Sequence, residues 1–409
     1  MSGVKDLVDA LSALVNLPEG RKRELGVEYT AAEIAHQPKT WLDTVALVRR
    51  RKPELERFLK SVAGWPVLLT GAGTSDFAGR AVERLLERRW RTTVRAVAST
   101  DLLTGMEDWL RQEAPSLCIS ISRSGDSSEG VAAIEEMTRQ FPRVAHQVIT
   151  CNAEGAMAKL TRERPGSYAL VLDPATNDRG LAMTSSYTNM VLAAQALGYL
   201  DDLDSFGAAV EAMAKSATSL RPGAADAAAK LAKSGFRRVC FLGSGALAAT
   251  ATESALKVQE LTAGRIFTMS QSFLGLRHGP LSFLDKETVV VAYLASNAQT
   301  RSYETDLLGE LRDKKLGATI VATGFGLSRE EKAKIDVAVD LGPERTAIPD
   351  ELRPPLDVIV GQLLGLFCSL EHGLKPDTPS PTGAISRVVS HVRIHSSADA
   401  QPVAETQWP

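Results

Sequence analysis

The sequence predicts an α/β protein made of two tandem, doubly wound, flavodoxin-like domains, each with a parallel sheet flanked by helices. Its 409 residues are too many for one ordinary core and enough for two domains and a tail. From Pro66 onward, short apolar runs alternate with helical stretches, which is typical of parallel sheets covered on both faces. A strand that runs into Gly-x-Gly and then a helix occurs twice, at 71–73 and at 243–245, which indicates an internal duplication.

The first half of the pattern follows a charged stretch, residues 1–45, that lacks strand signals and is expected to form a helical lead-in. A long, mostly apolar helix at 181–200 closes this half. Between these two segments the sequence predicts strands at 66–70, 93–98, 116–121, 146–150 and 168–172, and helices at 78–90 and 127–140.

The second half repeats the alternation. It begins with an Ala-rich stretch at 221–230 that favours a helix, and a buried helix at 356–373 closes it. The strands predicted in between lie at 237–243, 265–269, 287–295 and 318–323, and the helices at 245–263 and 303–315.

These patterns divide the chain into four parts: the lead-in at 1–45, a first α/β domain at 46–205, a second at 206–375, and a C-terminal segment at 376–409. The C-terminal segment starts with a Pro-rich loop and continues with basic residues. Its end has the composition of a disordered or loosely docked tail.

The composition is that of an ordinary globular protein, with 44% hydrophobic and 23% charged residues and a formal net charge of −2, so no basic surplus points to nucleic acid. The four cysteines lie far apart without a CxxC pair, and we expect reduced thiols. The first residues lack the long apolar core of a signal peptide, and the apolar runs stop short of a membrane span. We therefore expect a cytoplasmic protein without a membrane partner.

Two strand-to-helix turns in the first half have the chemistry of a phosphate site: residues 71–75 and residues 122–128. Free amides at a helix start attract anions, and hydroxyl groups can donate to the three oxygens of a phosphate monoester. A Ser or Thr N-cap is the alternative for either turn alone. Because both turns follow parallel strands, where open α/β sheets bind ligands, the pair favours a phosphate site. The candidate binding residues are Gly73, Thr74, Ser75, Ser122, Arg123, Ser124 and Ser127.

Other phosphate motifs fit less well. Gly243, Gly245 and Ala248 match the G-x-G-x-x-A pattern of dinucleotide sites, but no acidic residue ends the next strand to hold a ribose. In the first half, the position that needs Gly or Ala is Asp76. The P-loop pattern G-x-x-x-x-G-K-[ST] is missing from the sequence, which excludes a P-loop NTPase, and we expect no cofactor.

The helix after the second Gly-x-Gly turn places Glu253, Lys257 and Glu260 on one face. A solvated ion-pair stripe would explain this spacing in an isolated helix. This helix, however, is rich in apolar and small residues, as if packed against a sheet, and a carboxylate held there can have a raised pKa and act as a base. Downstream, His278 lies in the constrained sequence before Gly279-Pro280, where the alternative is a histidine bonded inside a turn.

Metal-ligand spacings such as HExxH, HxxE and CxxC are missing from the sequence, which favours metal-free acid–base chemistry. Aldose–ketose interconversion needs a group that opens the sugar ring, a carboxylate that moves a proton between C2 and C1, and a cation near the developing enolate oxygen. His278, Glu260 and Lys257 match these roles by chemistry. Only the first half has hydroxyl-rich loops and only the second has this Glu/Lys/His set, so we expect one composite site.

The motifs GAGTS, SRSGDSSE, ESALKVQELTAG and RHGP, in this order, resemble the sugar-isomerase (SIS) domains in the isomerase half of glucosamine-6-phosphate synthase. The chain looks more similar still to AgaS-type galactosamine-6-phosphate deaminase/isomerases, also described as tagatose-6-phosphate ketose/aldose isomerases. Further segments of this resemblance lie at 33–41, 150–156, 178–186 and 377–389. The resemblance covers nearly the whole chain.

The resemblance implies that the enzyme isomerises and deaminates an amino-hexose 6-phosphate, with D-galactosamine 6-phosphate as the best candidate. It assigns the 122–127 loop to phosphate, Thr74 and Ser75 to the sugar, and Glu260 to proton transfer with Lys257 beside it.

The resemblance also has implications for assembly and closure of the site. His278 matches a ring-opening histidine that comes from a neighbouring subunit, which implies a homo-oligomer, a dimer or tetramer. Arg387 aligns with a site-closing lysine, and because Arg and Lys bind anions differently its role is left open. Glutamine use is not implied, because the chain begins Met1-Ser2 and its first cysteine is Cys118.

Two alternatives stay open at the level of sequence. One is plain aldose–ketose isomerisation without loss of ammonia. The other is a non-catalytic regulator that senses sugar phosphates, but such proteins carry a helix-turn-helix domain, for which the lead-in at 1–45 is too short. The joint presence of Glu260, Lys257 and His278 also favours catalysis.

Overall fold

The structure is a computed structural model that describes residues 8–317, 319–343, 348–388 and 392–395. The predicted tail at 396–409 and the first seven residues of the lead-in lie outside the described residues. The described part of the lead-in is helical and comprises α1 (Ala10–Val15), α2 (Glu19–Leu25), α3 (Thr30–Ala35) and the start of α4 (Gln37–Ser61). Residue 45, the predicted end of the lead-in, lies inside α4.

The first parallel sheet has the strand order β2-β1-β3-β4-β5. Its strands are β1 (Val67–Gly71), β2 (Val94–Ala98), β3 (Ser116–Ser122), β4 (Val144–Thr150) and β5 (Tyr168–Val171). Its helices are α5 (Thr74–Trp90), α6 (Ser99–Thr104), α7 (Ser128–Gln140), α8 (Ala156–Glu163) and α9 (Ser185–Leu197). Every residue of β1 and β3 is buried, as expected for central strands covered on both faces. α5 starts four residues earlier than predicted, because Thr74 and Ser75 already form its first turn.

A long helix, α10 (Leu203–Ala232), leads into the second parallel sheet, of order β10-β9-β8-β6-β7. Its strands are β6 (Arg238–Gly243), β7 (Phe267–Gln271), β8 (Thr288–Tyr293), β9 (Thr319–Gly324) and β10 (Val337–Asp340). Its helices are α11 (Ala246–Leu261), α12 (Phe273–Leu276), α13 (Ala298–Asp313), α14 (Arg329–Ala333) and α15 (Pro354–Glu371). The sequence reading missed β10, a four-residue edge strand with a single buried residue, which is too short and too exposed to show a strand pattern.

Both sheets wind in the same way when each is numbered from its own first strand: the order is 2-1-3-4-5 in both. The predicted pair of doubly wound, flavodoxin-like parallel sheets is therefore confirmed. In such sheets the winding reverses between the first and third strands, and the carboxyl ends of these two strands open a crevice that binds ligands. β1 and β3 define this switch point in the first sheet, and β6 and β8 define it in the second.

One apolar core extends from Leu11 to Cys368 and joins the two halves, with α11 packed against both α5 and α15. In the described part of the chain, α15 is long and apolar enough to cross a membrane by length and composition. Because 89% of its apolar window is buried inside the protein, α15 fits a core helix. The sequence predicts a buried helix in this segment, at 356–373, and the structure confirms it.

Candidate active site

The switch point of the first sheet is an open crevice between the turns after β1 and β3. Gly71 allows these turns to approach each other, since a Cβ there would lie 2.6 Å from the Ser75 Cβ and 2.9 Å from the Ile121 carbonyl oxygen. The cavity between the turns, which we call the phosphate cavity, measures about 140 Å³. Hydroxyl groups dominate its polar wall, which includes Ser75, Ser99, Ser120, Ser122, Ser124 and Ser127.

The turn after β3 is held in shape by its own side chains. The Ser122 hydroxyl accepts a hydrogen bond from the Gly125 amide at 3.0 Å, and the Ser124 hydroxyl accepts one from the Asp126 amide at 3.2 Å. The Asp126 carboxylate binds the Ala156 amide at 2.8 Å, at the start of α8. Asp126 is thus engaged by a neighbouring helix, while the serines and Glu129 of the first turn of α7 line the cavity.

Two helices begin at this cavity. α5 has 17 residues and starts after Gly73, and α7 has 13 residues and starts after Ser127. Helix N-termini have unpaired amides and a partial positive charge, so both helices favour an anion in the cavity.

Two arginines complete the wall. The Arg123 guanidinium is buried and donates to the carbonyls of Gly180 (3.2 Å), Leu181 (3.1 Å) and Arg387 (2.7 Å). Arg387 donates to the Asp178 carbonyl at 2.7 Å and to the Asn177 side chain at 2.6 Å. Burial, reinforced by the Arg387 charge, lowers the pKa of Arg123. The C-terminal segment therefore reaches the cavity, and Arg123 ties three parts of the chain together there.

A second cavity of about 530 Å³ adjoins the first, and we call it the sugar cavity. Its wall includes Thr74 from the first half and Glu260 from the last turn of α11 in the second half. The two cavities share the wall residues Ala72, Arg123, Met183 and Arg387. The hydroxyl-lined crevice of the first half and the cavity that the Glu260 carboxylate of the second half lines are therefore direct neighbours.

The predicted face of α11 forms a buried charge cluster across the two halves. The Lys257 ammonium is fully buried and lies 2.6 Å from a Glu260 oxygen and 3.3 Å from a Glu253 oxygen. It donates to the Thr74 hydroxyl at 3.0 Å, and this hydroxyl lies 3.3 Å from Glu253. The side chain of Glu260 is 28% exposed, whereas that of Glu253 is 0% exposed, so Glu260 is the carboxylate that a ligand can reach.

Burial and charge act in opposite directions in this cluster. Burial lowers the pKa of Lys257, but the adjacent Glu253 and Glu260 carboxylates outweigh it and leave the pKa raised, so the ammonium stays charged. Burial raises the pKa of Glu253 to about 8, although Lys257 opposes this and the Glu260 charge adds to it. The sequence reading named Glu253 on this face without a role. The structure makes it a buried partner of Lys257.

His278 lies apart from these groups. It is exposed, follows α12 at the edge of the second sheet, and lines neither the phosphate cavity nor the sugar cavity. Two apolar side chains of the same edge region are also exposed, Phe267 at the start of the edge strand β7 and Leu274 on α12.

Most of the other predicted site residues lie at the two cavities: Ser75, Ser122, Ser124 and Ser127 line the first, Gly73, Thr74 and Glu260 line the second, and Arg123 and Arg387 line both. Lys257 lines neither cavity and is buried behind Thr74 and Glu260. Sequence reasoning missed Ser380 and Ser386, which line the sugar cavity. Their only signal was the hydroxyl content of the Pro-rich C-terminal loop. Among residues 8–317, 319–343, 348–388 and 392–395, no group of three His, Cys, Asp or Glu side chains is arranged to hold a metal ion.

Comparison with known proteins agrees with this fold. The SIS domain family model matches residues 66–199. The chain is 39% identical to AgaS of Streptomyces coelicolor over 91% of this chain and 96% of that protein. It is 36% identical to the D-galactosamine-6-phosphate deaminase AgaS of Escherichia coli, over 90% and 95% of the two chains. The crystal structure of tagatose-6-phosphate ketose/aldose isomerase from Escherichia coli superposes with a TM-score of 0.82 at 33% identity and covers 90% of this chain and 96% of that one.

Proposed function

Because the chain belongs to the AgaS group of SIS-domain proteins, which are phosphosugar isomerases and deaminases, we propose that it deaminates and isomerises an amino-hexose 6-phosphate. The proposed substrate is D-galactosamine 6-phosphate, and the products are tagatose 6-phosphate and ammonia. The observation that supports the proposal is that the hydroxyl-lined phosphate cavity adjoins the cavity that Glu260 lines and shares four wall residues with it.

In this proposal the phosphate group occupies the cavity between β1 and β3. The serine hydroxyls and the N-termini of α5 and α7 donate to its oxygens, and Arg123 and Arg387 contribute positive charge. The sugar carbons then extend into the sugar cavity, past Thr74 toward Glu260.

The proposed reaction is a proton transfer followed by hydrolysis. The Glu260 carboxylate takes the C2 proton of the open-chain 2-amino aldose, and the electron pair forms a C1–C2 double bond while the C1 oxygen takes a proton from water; the hydroxide left behind is neutralised when water later adds at C2 and loses a proton. The Lys257 ammonium stabilises negative charge that develops on that oxygen. Glu260 returns the proton to C1, which gives a C2 iminium. Water adds at C2, the C–N bond breaks, and ammonia leaves the 6-phosphoketose.

We assign ring opening to His278 of another copy of the chain. The side chain is exposed, and the same edge of the second sheet also exposes Phe267 and Leu274, as expected of a region presented at a subunit contact. Mixing inactive Glu260→Gln subunits with inactive His278→Asn subunits should restore part of the activity, because some sites then combine an intact Glu260 with an intact His278. Mixtures as inactive as their components would contradict a shared site.

The main test is Glu260→Gln, measured by ammonia release and by phosphosugar affinity. Loss of the base should lower turnover by about 10²- to 10⁴-fold, with affinity nearly unchanged because the phosphate cavity is intact. Glu135→Gln, at an exposed position on α7, is the matched control and should behave as wild type. Near-normal turnover of Glu260→Gln would refute the assignment.

The same assay separates the alternatives. Galactosamine 6-phosphate and glucosamine 6-phosphate are compared as substrates, with the ketose phosphate and ammonia measured together. Equal amounts of both products support deamination. If the protein forms a ketose from an aldose phosphate that has no amino group, and does not turn over amino sugars, it is a plain isomerase. If it binds phosphosugars tightly but turns over none of them, it is a sensor.

A further inference from the structure

A buried polar network joins the N-terminal helix α3 to the wall of the phosphate cavity. Glu33 on α3 is only 7% exposed, and its carboxylate accepts hydrogen bonds from the amides of Arg179 at 2.5 Å and Gly180 at 3.3 Å. The carbonyl of the same Gly180 accepts a hydrogen bond from Arg123 at 3.2 Å. One residue of the 177–182 loop thus connects Glu33 to the arginine that lines both cavities.

The second wall arginine depends on the same loop. Arg387 donates to the Asp178 carbonyl and to the Asn177 side chain. The loop therefore supplies backbone acceptors to Arg123 and to Arg387, and its position determines where both positive charges lie.

The fit between α3 and this loop leaves little freedom. A Cβ on Gly180 would lie 2.7 Å from the Thr30 hydroxyl and 3.0 Å from a Glu33 carboxylate oxygen, so the backbone of the loop packs directly on α3. The start of α3 also anchors the C-terminal segment, because Asp377 accepts hydrogen bonds from the Thr30 amide at 2.8 Å and hydroxyl at 2.7 Å. The Leu181 amide donates to the Asp377 carbonyl at 3.0 Å, which links loop and segment.

The other acidic side chains of this network have different partners. Asp178 accepts hydrogen bonds from the amides and hydroxyls at the start of α9, and Asp377 accepts them from residues 29 and 30. Glu33 is the carboxylate directed at the loop amides.

We propose that Glu33 is a positioning residue for the phosphate site: by holding the amides of Arg179 and Gly180, it places the carbonyls that orient Arg123 and Arg387. The inference rests on the proposed function only in taking the cavity between β1 and β3 as the phosphate site. According to this proposal, the N-terminal lead-in affects substrate affinity through the 177–182 loop.

The test compares binding of inorganic phosphate, by calorimetry, in wild type, Glu33→Ala and Glu33→Gln. Glu33→Ala leaves two buried amides without an acceptor, and we expect phosphate affinity to fall by about 10- to 100-fold. Burial and the Asp178 charge raise the pKa of Glu33 to about 8, so a neutral acceptor should serve nearly as well. Glu33→Gln should therefore bind within about threefold of wild type. Glu28→Ala is the control on the same lead-in, because Glu28 pairs with Arg23 at 3.2 Å.

Hydrogen exchange of residues 177–183 gives a second measurement that does not need phosphate. We expect faster exchange in Glu33→Ala than in wild type or Glu28→Ala, because the Arg179 and Gly180 amides lose their acceptor. A general loss of stability would instead speed exchange throughout the molecule and leave the affinity of the folded protein for phosphate unchanged, which would overturn the proposal.

The outcomes separate this inference from the proposed function. Unchanged phosphate affinity in Glu33→Ala overturns the positioning role and leaves the proposed function intact. If the wild-type protein does not bind phosphate, the cavity between β1 and β3 is not a phosphate site, and this inference also fails. If Glu33→Ala does not fold, Glu33→Asp is measured instead. Its shorter side chain should weaken phosphate binding. A wild-type affinity of Glu33→Asp for phosphate would overturn the proposal.

Discussion

The two halves of the molecule share a winding order and a Gly-x-Gly turn, but they differ in what lies at the switch point. Gly73 and Gly245 adopt nearly the same conformation, with φ 56° and ψ −123° in the first and φ 58° and ψ −127° in the second. The turn after the third strand is different. In the first half this turn presents serines to an open cavity. In the second half the backbone groups of the turn form hydrogen bonds with charged side chains of the chain itself.

Three hydrogen bonds in the second half involve the backbone of residues 294–296. The Ala295 amide donates to Glu304 at 2.7 Å, and the Ser296 amide donates to Asp350 at 2.8 Å. The Leu294 carbonyl accepts from the buried Arg353 at 3.0 Å. Groups that could meet a ligand anion in the first half are therefore bound to internal carboxylates in the second.

This difference explains how a duplicated fold produces one composite site. The first half keeps its crevice for a ligand anion. In the second half a cavity of about 310 Å³ lies beside Ser244 and Gly245, but carboxylates of the chain bind the amides after the third strand. This half contributes α11, which begins at that crevice and ends with Glu260 at the sugar cavity.

The largest expected effect comes from Lys257→Met, which tests whether the second half supplies the reactive charges. The substitution removes the buried ammonium between Glu253 and Glu260, and we expect the free energy of unfolding to fall by about 3–5 kcal/mol. Turnover should fall at least about 100-fold, because a cation near the developing charge is lost. Ammonia release and denaturant unfolding measure the two effects.

The control for this variant is Lys230→Met, at an exposed position on α10, which should change neither quantity. If Lys257→Met retained near-normal turnover, α11 would not be the catalytic helix.

A smaller effect is expected from Glu304→Gln, which tests the internal carboxyl group of the second crevice. Burial raises the pKa of Glu304 from 4.5 to about 7, although Ser244 and the Ala295 amide oppose the shift. A folded-state pKa above the unfolded value means that the stability linked to this group is complete below pH 4.5 and is lost as the pH rises through 7. The shift corresponds to roughly 3 kcal/mol at most.

The measurement is the unfolding free energy of wild type and Glu304→Gln between pH 4 and pH 8. Relative to the variant, wild type should lose stability from about pH 4.5 to about pH 7 and then level off. Phosphosugar affinity should not change. A pH-independent difference would contradict a buried, proton-binding Glu304, and a change in affinity would contradict the division of roles between the halves.

The smallest effects are expected from a matched pair, Gly73→Ala and Gly245→Ala. A Cβ would meet nothing within 4 Å at either position, so the cost comes from the positive φ alone, about 1–3 kcal/mol in each case. Both variants should lose similar stability in thermal unfolding. Only Gly73→Ala should weaken phosphosugar binding, because only the first turn lines the site. An equal loss of affinity in both would show that the second turn also contacts the ligand.

Much of the fold follows from local pattern. The apolar runs located nine of the ten strands in the two sheets, and the two Gly-x-Gly turns indicated the duplication. β10 was missed because a short edge strand carries little periodicity, and α5 was started too late because Thr74 and Ser75 were assigned to the turn. The domain boundaries and the roles of the site residues stay predictions.

The sequence by itself determined which side chains could do the chemistry: the hydroxyls of the 122–127 turn and the Glu253, Lys257 and Glu260 face follow from local spacing, since helix and strand periods set which residues share a face. Only the tertiary structure decided which of them meet. Thr74 contacts Glu253 and Lys257 across about 180 positions of the chain, and Arg123 binds the backbone of Arg387 across 264. Such contacts depend on how α5 packs on α11 and on where the loops end, and no local period encodes that.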